Sequence, residues 1–510
     1  VAASVSGLSG LGLLTWVYPP GLVDRVVAAC GRSEQRKRLL PARLVVYFVL
    51  GLALFSPAPY LDVMRHLVAG LRGVGLLGDW HVPAKSSLFR ARRRLGSEPL
   101  RVLFAATAKP MAVETTPGAF WRGLRVLAVD GTCWDVADTK ANQAAFGRPG
   151  NGRGTGASAF VQVRMAALVE VGSHAVLDAE LAGCRTGEVT LVGRLPRSCG
   201  PGQLVLADRE FPGVPLWQSF TETGADLLWR VPANRVLPID RPLRDGSWIS
   251  RIHVGTDASH RDPVTVRVLA CQLKNKAETC RLITTLLDAR RYPARQLAAL
   301  YRERWEIESV FAEIKTHQRG AKVVLSSKTP DGVLQQIWAH LLVHHALREL
   351  MLRTAATRRL DPDRVSFTET LRSVRRSVTV TPGSFSPGPP GPGIATTPGR
   401  PAGKAPARQT PAQPAPAGRR SRGVGVEHVA RGRVRFCDFG QRDSARLPPV
   451  GPVGPVAHGG RDLFQFGARV EGVADLLHAG ELVTVQHVFA HEGLRVEVLE
   501  LEVLELRAEF

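Results

Sequence analysis

The chain has 510 residues, enough for two to four domains, and its 44% hydrophobic content is ordinary for a soluble globular protein. Lys and Arg outnumber Asp and Glu by 67 to 45, a net charge of +22 that favours a polyanionic partner, nucleic acid first and anionic membrane second. The longest apolar run, 44–55, is too short to cross a bilayer and is broken by Gly51; no leader-like N-terminus is visible; and seven scattered cysteines with no CxxC argue against a disulfide framework or a zinc site and fit a reducing cytoplasm.

In chain order, residues 12–78 read as helical. The segment 39–55 is apolar enough to be buried, and 60–73 has helical periodicity ending at Gly73. A short basic helix follows over 82–96, with Ser86 or Ser87 as candidate cap and Arg90, Arg92, Arg93 and Arg94 along it. A basic helix after a short turn suggests contact with DNA phosphates, in the manner of a helix-turn-helix; the alternative is a solvated basic face.

From Leu124 the pattern changes to strands. LRVLAVD (124–130) is an apolar run ending in Asp130. The β-rich runs 159–171 and 174–182 are separated by Gly172-Ser173, a hairpin turn; LVLAD ends in Asp208; and 225–231 makes a fifth strand. Three strands in a meander, then strands alternating with helical segments, predict a mixed α/β sheet. Strand-like 247–254, 264–273 and 280–287 read as a β-rich insertion over about 232–290.

Residues 294–320 read as one helix, with Pro293 at its start, Gly320 at its end and neither residue type inside. At about 100° per residue, Tyr301, Arg304, Glu308 and Lys315 share one face, beside an apolar stripe of Leu300, Ile307, Phe311 and Ile314. Alone, such a face is an ordinary solvated one. Trp305 lies off it by about 90°; core packing is favoured over stacking on a displaced base. A long amphipathic helix follows from about Pro330, carrying His344-His345, read as structural. Nearly half of 381–418 is Pro or Gly, and beyond Lys404 there is no Lys, Asn, Tyr, Trp, Ile or Met. The tail from about 383 is therefore read as a displaced reading frame or non-native extension, the alternative being a disordered linker with a small domain.

Asp130 and Asp208 lie at strand ends, where α/β sheets place ligands, and Glu308 adds a third carboxylate. Converging carboxylates need a neutralising cation, and hard oxygen donors select Mg²⁺ or Mn²⁺, which serve phosphodiester displacement. Asp135, Asp138 and Asp178 are rival acids, ranked lower because the first two fall in loop-like sequence and the third inside a hairpin strand. No GxxxxGK[ST] is present, so nothing suggests ATP use.

The spacing Y-x2-R-x3-E-x6-K, filled by Tyr301, Arg304, Glu308 and Lys315, is similar to the signature of DDE-type bacterial insertion-sequence transposases of the insertion-sequence-four family. The stretch from Asp130 through 138–150, and LVLADREF around Asp208, resemble that family's two acid blocks; 40–50 and 85–96 resemble its N-terminal domain. The resemblance spans about 12–382. It implies an α/β, RNase H-like mixed sheet with a β-rich insertion before the catalytic glutamate helix, preceded by an all-helical domain. The domains would be a helical DNA-binding domain at 1–115, the catalytic domain at 120–355 with its insertion, a helical extension at 356–382, and the aberrant tail at 383–510. Asp130, Asp208 and Glu308 would be catalytic metal ligands for Mg²⁺ or Mn²⁺. Tyr301, Arg304 and Lys315 would hold the transposon-end backbone. Arg209 would be a further phosphate contact or the member of a structural ion pair, with Trp305, Arg90 and Arg93 as remaining candidate DNA contacts. Implied too are cut-and-paste transposition at terminal inverted repeats through 3′-hydroxyl strand transfer, double-stranded DNA as partner at transposon ends and target, a homodimer in the synaptic complex, and a bacterial, nucleoid-associated cytoplasmic location without membrane attachment. The alternatives are an RNase H-like nuclease without strand transfer and a catalytically compromised DNA-binding relic.

Overall fold

Six helices precede the first strand, and their amphipathic pattern explains how they stack. In the computed structural model, which describes residues 12–36, 38–72, 81–150, 160–253, 263–272, 279–380, 482–487 and 499–504, these are α1 (Gly12–Val17), α2 (Pro20–Ala29), α3 (Ala42–Leu54), α4 (Tyr60–Arg72), α5 (Lys85–Leu95) and α6 (Glu98–Thr107). Apolar residues cover nearly every face of α3, and Val45 through Leu50 are all buried. A side chain at Gly51 would press on Val63 of α4, so glycine lets the two helices approach closely. Neither Ser86 nor Ser87 caps α5; Ala84 holds that position without a side-chain bond. The helix-turn-helix expectation turns on 73–80, which lie outside the described residues.

The strands β1 (Phe120–Trp121) and β2 (Leu124–Val136) open the sheet, followed by α7 (Lys140–Phe146), β3 (Val161–Glu170), β4 (Ala175–Gly183), α8 (Glu188–Val192), β5 (Gln203–Ala207), α9 (Val214–Thr221) and β6 (Asp226–Val231). β2, β3 and β4 form the predicted antiparallel meander, while β5 pairs parallel with β2, and β6 parallel with β5. The hairpin turn falls where expected: a side chain at Gly172 would strike the backbone of Ala119, so only glycine fits there.

Beyond β6 lie β7 (Arg241–Pro242), β8 (Trp248–Ile252), β9 (Val264–Gln272) and β10 (Thr279–Thr284). The β-rich stretch expected between the fifth strand and the helix continues the same sheet: β10 pairs antiparallel with β6, so the path runs β4-β3-β2-β5-β6-β10-β9-β8-β7. Cys280 is disulfide-bonded, which the scattered cysteines did not suggest; the β9–β10 register sets Cys271 opposite it.

The stretch expected as one helix is continuous but changes pitch three times. It comprises α10 (Ala294–Leu300), a 3₁₀ stretch (Tyr301–Trp305), α11 (Glu306–Ala312) and a π-helical stretch (Glu313–Gln318). α12 (Pro330–Arg358) begins on a Thr329 cap that accepts from Gly332 N–H. Expected amphipathic, it is buried on most sides from Val333 to Met351, because it lies between the N-terminal helices and the sheet. α13 (Phe367–Val380) closes this unit. Two apolar cores result: one joins the helices to one sheet face, and the other lies under α8 and α9 on the opposite face.

Among the described residues no helix is long and apolar enough to cross a membrane. The second unit, 408–510, contributes one described pairing, β11 (Leu482–His487) antiparallel to β12 (Leu499–Leu504). The reading of the tail as frame-displaced or disordered otherwise lies outside the described residues.

Candidate active site

β2 alternates its side chains between the two cores, and this alternation aims Asp130. Val126, Ala128, Trp134 and Val136 face the helical core while Leu127 and Val129 face the other, so Asp130 and Thr132 point toward the helical stretch 301–318. Asp130 does not end the strand, as expected, but sits midway along it. It lies two residues beyond Ala128, the last β2 residue paired with β5, so it is the edge left by the shorter β5 that opens the site. Asp208 directly follows β5, at its C-terminal end.

These two acids and Glu308 converge on one guanidinium. Arg304 is 4% exposed. Its Nη1 lies 3.1 Å from Asp130 Oδ2, and its Nη2 lies 3.3 Å from Glu308 Oε1 and 3.9 Å from Asp208 Oδ2. Burial alone would lower the pKa of Arg304, but the surrounding acidic groups outweigh it and the net shift is upward. Arg304 was expected at a DNA backbone; in this structure its guanidinium faces the three acids. Tyr301, expected beside it, is buried too: its hydroxyl donates to the Ala207 carbonyl at 3.1 Å and approaches Asp208 Oδ1 at 3.5 Å. Burial first, then the charge of Asp208, pushes the phenol far above its ordinary range, so it stays a donor. Arg230 Nη1 stands 3.8 Å from the same oxygen, Asp208 Oδ1.

The changes in helical pitch explain this grouping. In a 3₁₀ turn residues i and i+3 eclipse, which stacks Arg304 on Tyr301, and the α-turn that follows brings Glu308 under Arg304 as its i+4 partner. Glu308 is half exposed; burial raises its pKa despite Arg304. Within the π-helical stretch, Lys315 donates to Thr132 Oγ1 at 2.8 Å, and burial followed by the charge of Arg319 lowers its pKa. The next buried acid, Glu313, accepts from Arg348 Nε at 2.8 Å and His344 Nε2 at 2.9 Å. It is held well below the usual carboxylate range, because Arg348 and His174 outweigh the cost of burial. His174, at the β3–β4 turn, also meets Glu306 at 3.0 Å, which pins the helical stretch to the sheet. His344 thus takes the structural role expected of it.

Sequence reasoning missed Glu188. It enters from α8 beneath Gly131, where any side chain would collide with its carboxyl group. Burial, then the charges of Asp130 and Glu210, push its pKa up to about 7. No signal in the chain marks it, since only the folded sheet brings it beside Asp130.

The rival acids are committed elsewhere. Asp135 lies on β2 rather than in a loop, accepting from Gln162 at 2.8 Å; Asp138 pairs with Arg148 at 2.6 Å and Asp178 with Arg197 at 2.8 Å. Trp305, expected in the core, is 54% exposed, with the Arg304 guanidinium 4.9 Å from its ring centre. Arg209 is half-exposed and has no ion pair among the described residues. On α5, Arg90 and Arg93 are exposed, whereas Arg92 is buried against Gln335 at 2.7 Å.

Three carboxylate oxygens and no sulfur or imidazole make a hard donor set, suited to Mg²⁺ or Mn²⁺. The space between them already requires a positive charge, which Arg304 supplies. Among the described residues no group of three or more His, Cys, Asp or Glu side chains is arranged to hold a metal ion.

A three-stranded antiparallel meander followed by two parallel strands, with helices on both faces, makes the α/β, RNase H-like mixed sheet that was expected. Residues 8–105 match the family described as insertion element 4 transposase N-terminal, and 121–345 match the transposase DDE domain. The chain is 31% identical over 377 residues to the transposase InsG for insertion sequence element IS4 of Escherichia coli (strain K12), covering 72% of this chain and 83% of that protein. It is 27% identical over 218 residues to the putative transposase InsZ of the same organism, covering 42% of this chain and 69% of that one. The chain belongs to the IS4 family of DDE transposases, and its activity is DNA transposition. Among solved structures, the piggyBac transposase synaptic complex with hairpin DNA aligns with 73% of this chain and 80% of that one, at 11% identity and a TM-score of 0.41, a likeness too loose to carry further weight.

Proposed function

We propose that the chain cuts DNA at the terminal inverted repeats of its own insertion sequence and joins the freed 3′-hydroxyl ends to target DNA, with Asp130, Asp208 and Glu308 as its catalytic carboxylates. The observation that carries this reading is their convergence, from within β2, from the end of β5 and from a helix, on one buried cation, Arg304. The same three residues would hold Mg²⁺ or Mn²⁺, which when bound supplies Lewis-acid activation of the attacking oxygen and stabilisation of the leaving one.

The chain's own residues then divide the remaining work. Tyr301 fixes Asp208 by bonding both to it and to the preceding carbonyl. Arg304 keeps the three acids gathered. Lys315, tied to Thr132 two residues along the strand from Asp130, holds a cation where the DNA backbone must pass to reach the acids. Exposed Trp305, Arg90 and Arg93 and partly exposed Arg209 supply further contact, Arg90 and Arg93 from the helical domain at 1–115. The catalytic domain spans 120–355 with its sheet extension at 232–290, followed by the helical extension at 356–382, and two copies of the chain bring two element ends together.

The test uses a duplex carrying one end of the flanking element, incubated with target plasmid and Mg²⁺. The parent should yield both cleaved ends and end–target joints, while Asp130→Asn, Asp208→Asn and Glu308→Gln should bind the end and yield neither. Cleavage without joints would reduce the protein to a nuclease, and cleavage by any of the three variants would refute the triad.

A further inference from the structure

A second site lies one helical turn beyond Lys315 and stands independently of the catalytic assignment. A cavity of about 100 Å³ opens where the turn after α3 meets the end of the π-helical stretch and the first half of α12. Its walls are apolar where α3 contributes Val49 and Ala53, and polar at Ser56, Gln336, His340 and Arg319; no carboxylate lines it.

Arg319 is the anomaly. It is 6% exposed, and among the described residues it has no ion pair. Its Nε donates to the Lys315 carbonyl at 3.3 Å and its guanidinium lies over the Trp134 ring at 5.4 Å, but its Nη1 has no hydrogen-bond partner among the described residues. Nearby Arg375 is likewise satisfied, among the described residues, by carbonyls, those of Leu54 at 2.7 Å, Ser56 at 3.2 Å and Gln318 at 3.1 Å. His340 contributes a donor rather than a counter-charge. Its Nδ1 faces the Gln318 amide nitrogen at 3.2 Å and must accept, so the ring proton sits on Nε2. Burial, then the charges of Arg319 and Arg375, push its pKa down to about 3, so it is neutral. Asp135 is the acid whose charge reaches Arg319, and burial still wins, leaving the guanidinium below its ordinary pKa.

A buried cation without a counter-ion is strongly unfavourable, and a buried N–H without an acceptor adds to the cost. On this measure one water needs about 10–15 Å³, so a cavity of this size has room for a tetrahedral oxyanion. We propose that this cavity binds a phosphate-class oxyanion, with the Arg319 guanidinium as its principal ligand and the Gln336 and His340 side chains beside it, the Ser56 hydroxyl being spent on the Arg319 carbonyl at 3.0 Å. The anion would tie α3 and α12 to the stretch that carries Lys315. Its source is free inorganic phosphate or a phosphate of the DNA backbone.

The decisive variant is Gln336→Glu, nearly isosteric, which sets a carboxylate on the cavity wall. Thermal unfolding of the full chain is followed with and without inorganic phosphate, chloride being used to match ionic strength. For the parent, phosphate should raise the midpoint saturably by about 2–4 °C. Gln336→Glu should begin with a higher midpoint in phosphate-free buffer and show no response to phosphate. Arg319→Gln should also lose the response, and ³¹P line broadening by the parent reads binding directly, whether or not that variant folds. If phosphate weakens binding of a duplex oligonucleotide to the parent but not to Gln336→Glu, the natural occupant is a DNA phosphate; if duplex binding is unchanged, it is the free anion. A parent without any phosphate response, or a Gln336→Glu variant that responds like the parent, would overturn the proposal.

Discussion

Replacing Arg304 with Met keeps the length of the side chain and removes the charge on which three carboxylates converge. The dominant contact is the 3.1 Å pair with Asp130, since Arg304 is buried and the Asp130 side chain is only 20% exposed. Breaking such a pair costs about 3 kcal/mol, at the lower end of the buried range because Asp130 keeps some access to water. The Glu308 contact is screened by its half-exposed partner and the Asp208 contact is 3.9 Å long, so each adds about 0.5 kcal/mol or less. The total is about 3–4 kcal/mol in metal-free buffer. At about 2.1 cal/mol/K per residue, the roughly 370 residues of the folded unit have an unfolding entropy near 0.8 kcal/mol/K, so the midpoint should fall by about 4–5 °C. Differential scanning fluorimetry in EDTA measures the drop, and the same scan in Mg²⁺ should show a smaller deficit, because an ion then neutralises the acids. An Arg304→Met variant that keeps its midpoint in EDTA but loses DNA affinity would refute the bridging role and return Arg304 to the DNA backbone.

Further predictions follow from the neighbouring residues. Glu188 has a folded pKa of about 7 against an unfolded 4.5, so the native state loses stability as pH rises through that window. Glu188→Gln should therefore be the more stable protein at pH 8 in EDTA, by at most about 3 kcal/mol, with the advantage gone by pH 5; identical pH profiles would contradict this. Glu313 is shifted the opposite way, so its contribution is present above about pH 4.5 and lost as pH falls through its depressed folded value. Glu313→Gln should cost about 3–5 kcal/mol at pH 7, because Arg348 and His174 lose their counter-charge, and denaturant unfolding would show it. Lys315→Ala should weaken duplex binding and reduce the slope of log affinity against log salt by about one phosphate contact; an unchanged slope would make Lys315 structural.

The strands were legible because short apolar runs bounded by glycine and acids leave little choice of conformation, and the meander turn at Gly172 was marked by composition. The β2 end was misjudged because Gly131, Thr132 and Asp135 look like a loop, yet β3 pairs with them as far as Val136. The burial of Tyr301 and Arg304 was hidden for a different reason. A helical wheel assumes one pitch, and here overwound and underwound stretches follow one another, turning Tyr301 and Arg304 inward and Trp305 out. The role of Arg304 as the common partner of the acids, the approach of Glu188 and the uncompensated charge of Arg319 are all properties of contacts between distant segments. A linear pattern does not carry them.

The central claim, that Asp130, Asp208 and Glu308 form one cation site, is tested most directly by loading the DNA-free protein with Fe²⁺ in place of Mg²⁺ and mapping backbone cleavage by the hydroxyl radicals generated there. The account predicts cuts clustered near residues 130, 208 and 308, all suppressed together by excess Mg²⁺ and by Asp130→Asn. Cuts near only one of the three, or a pattern that survives both treatments, would contradict it.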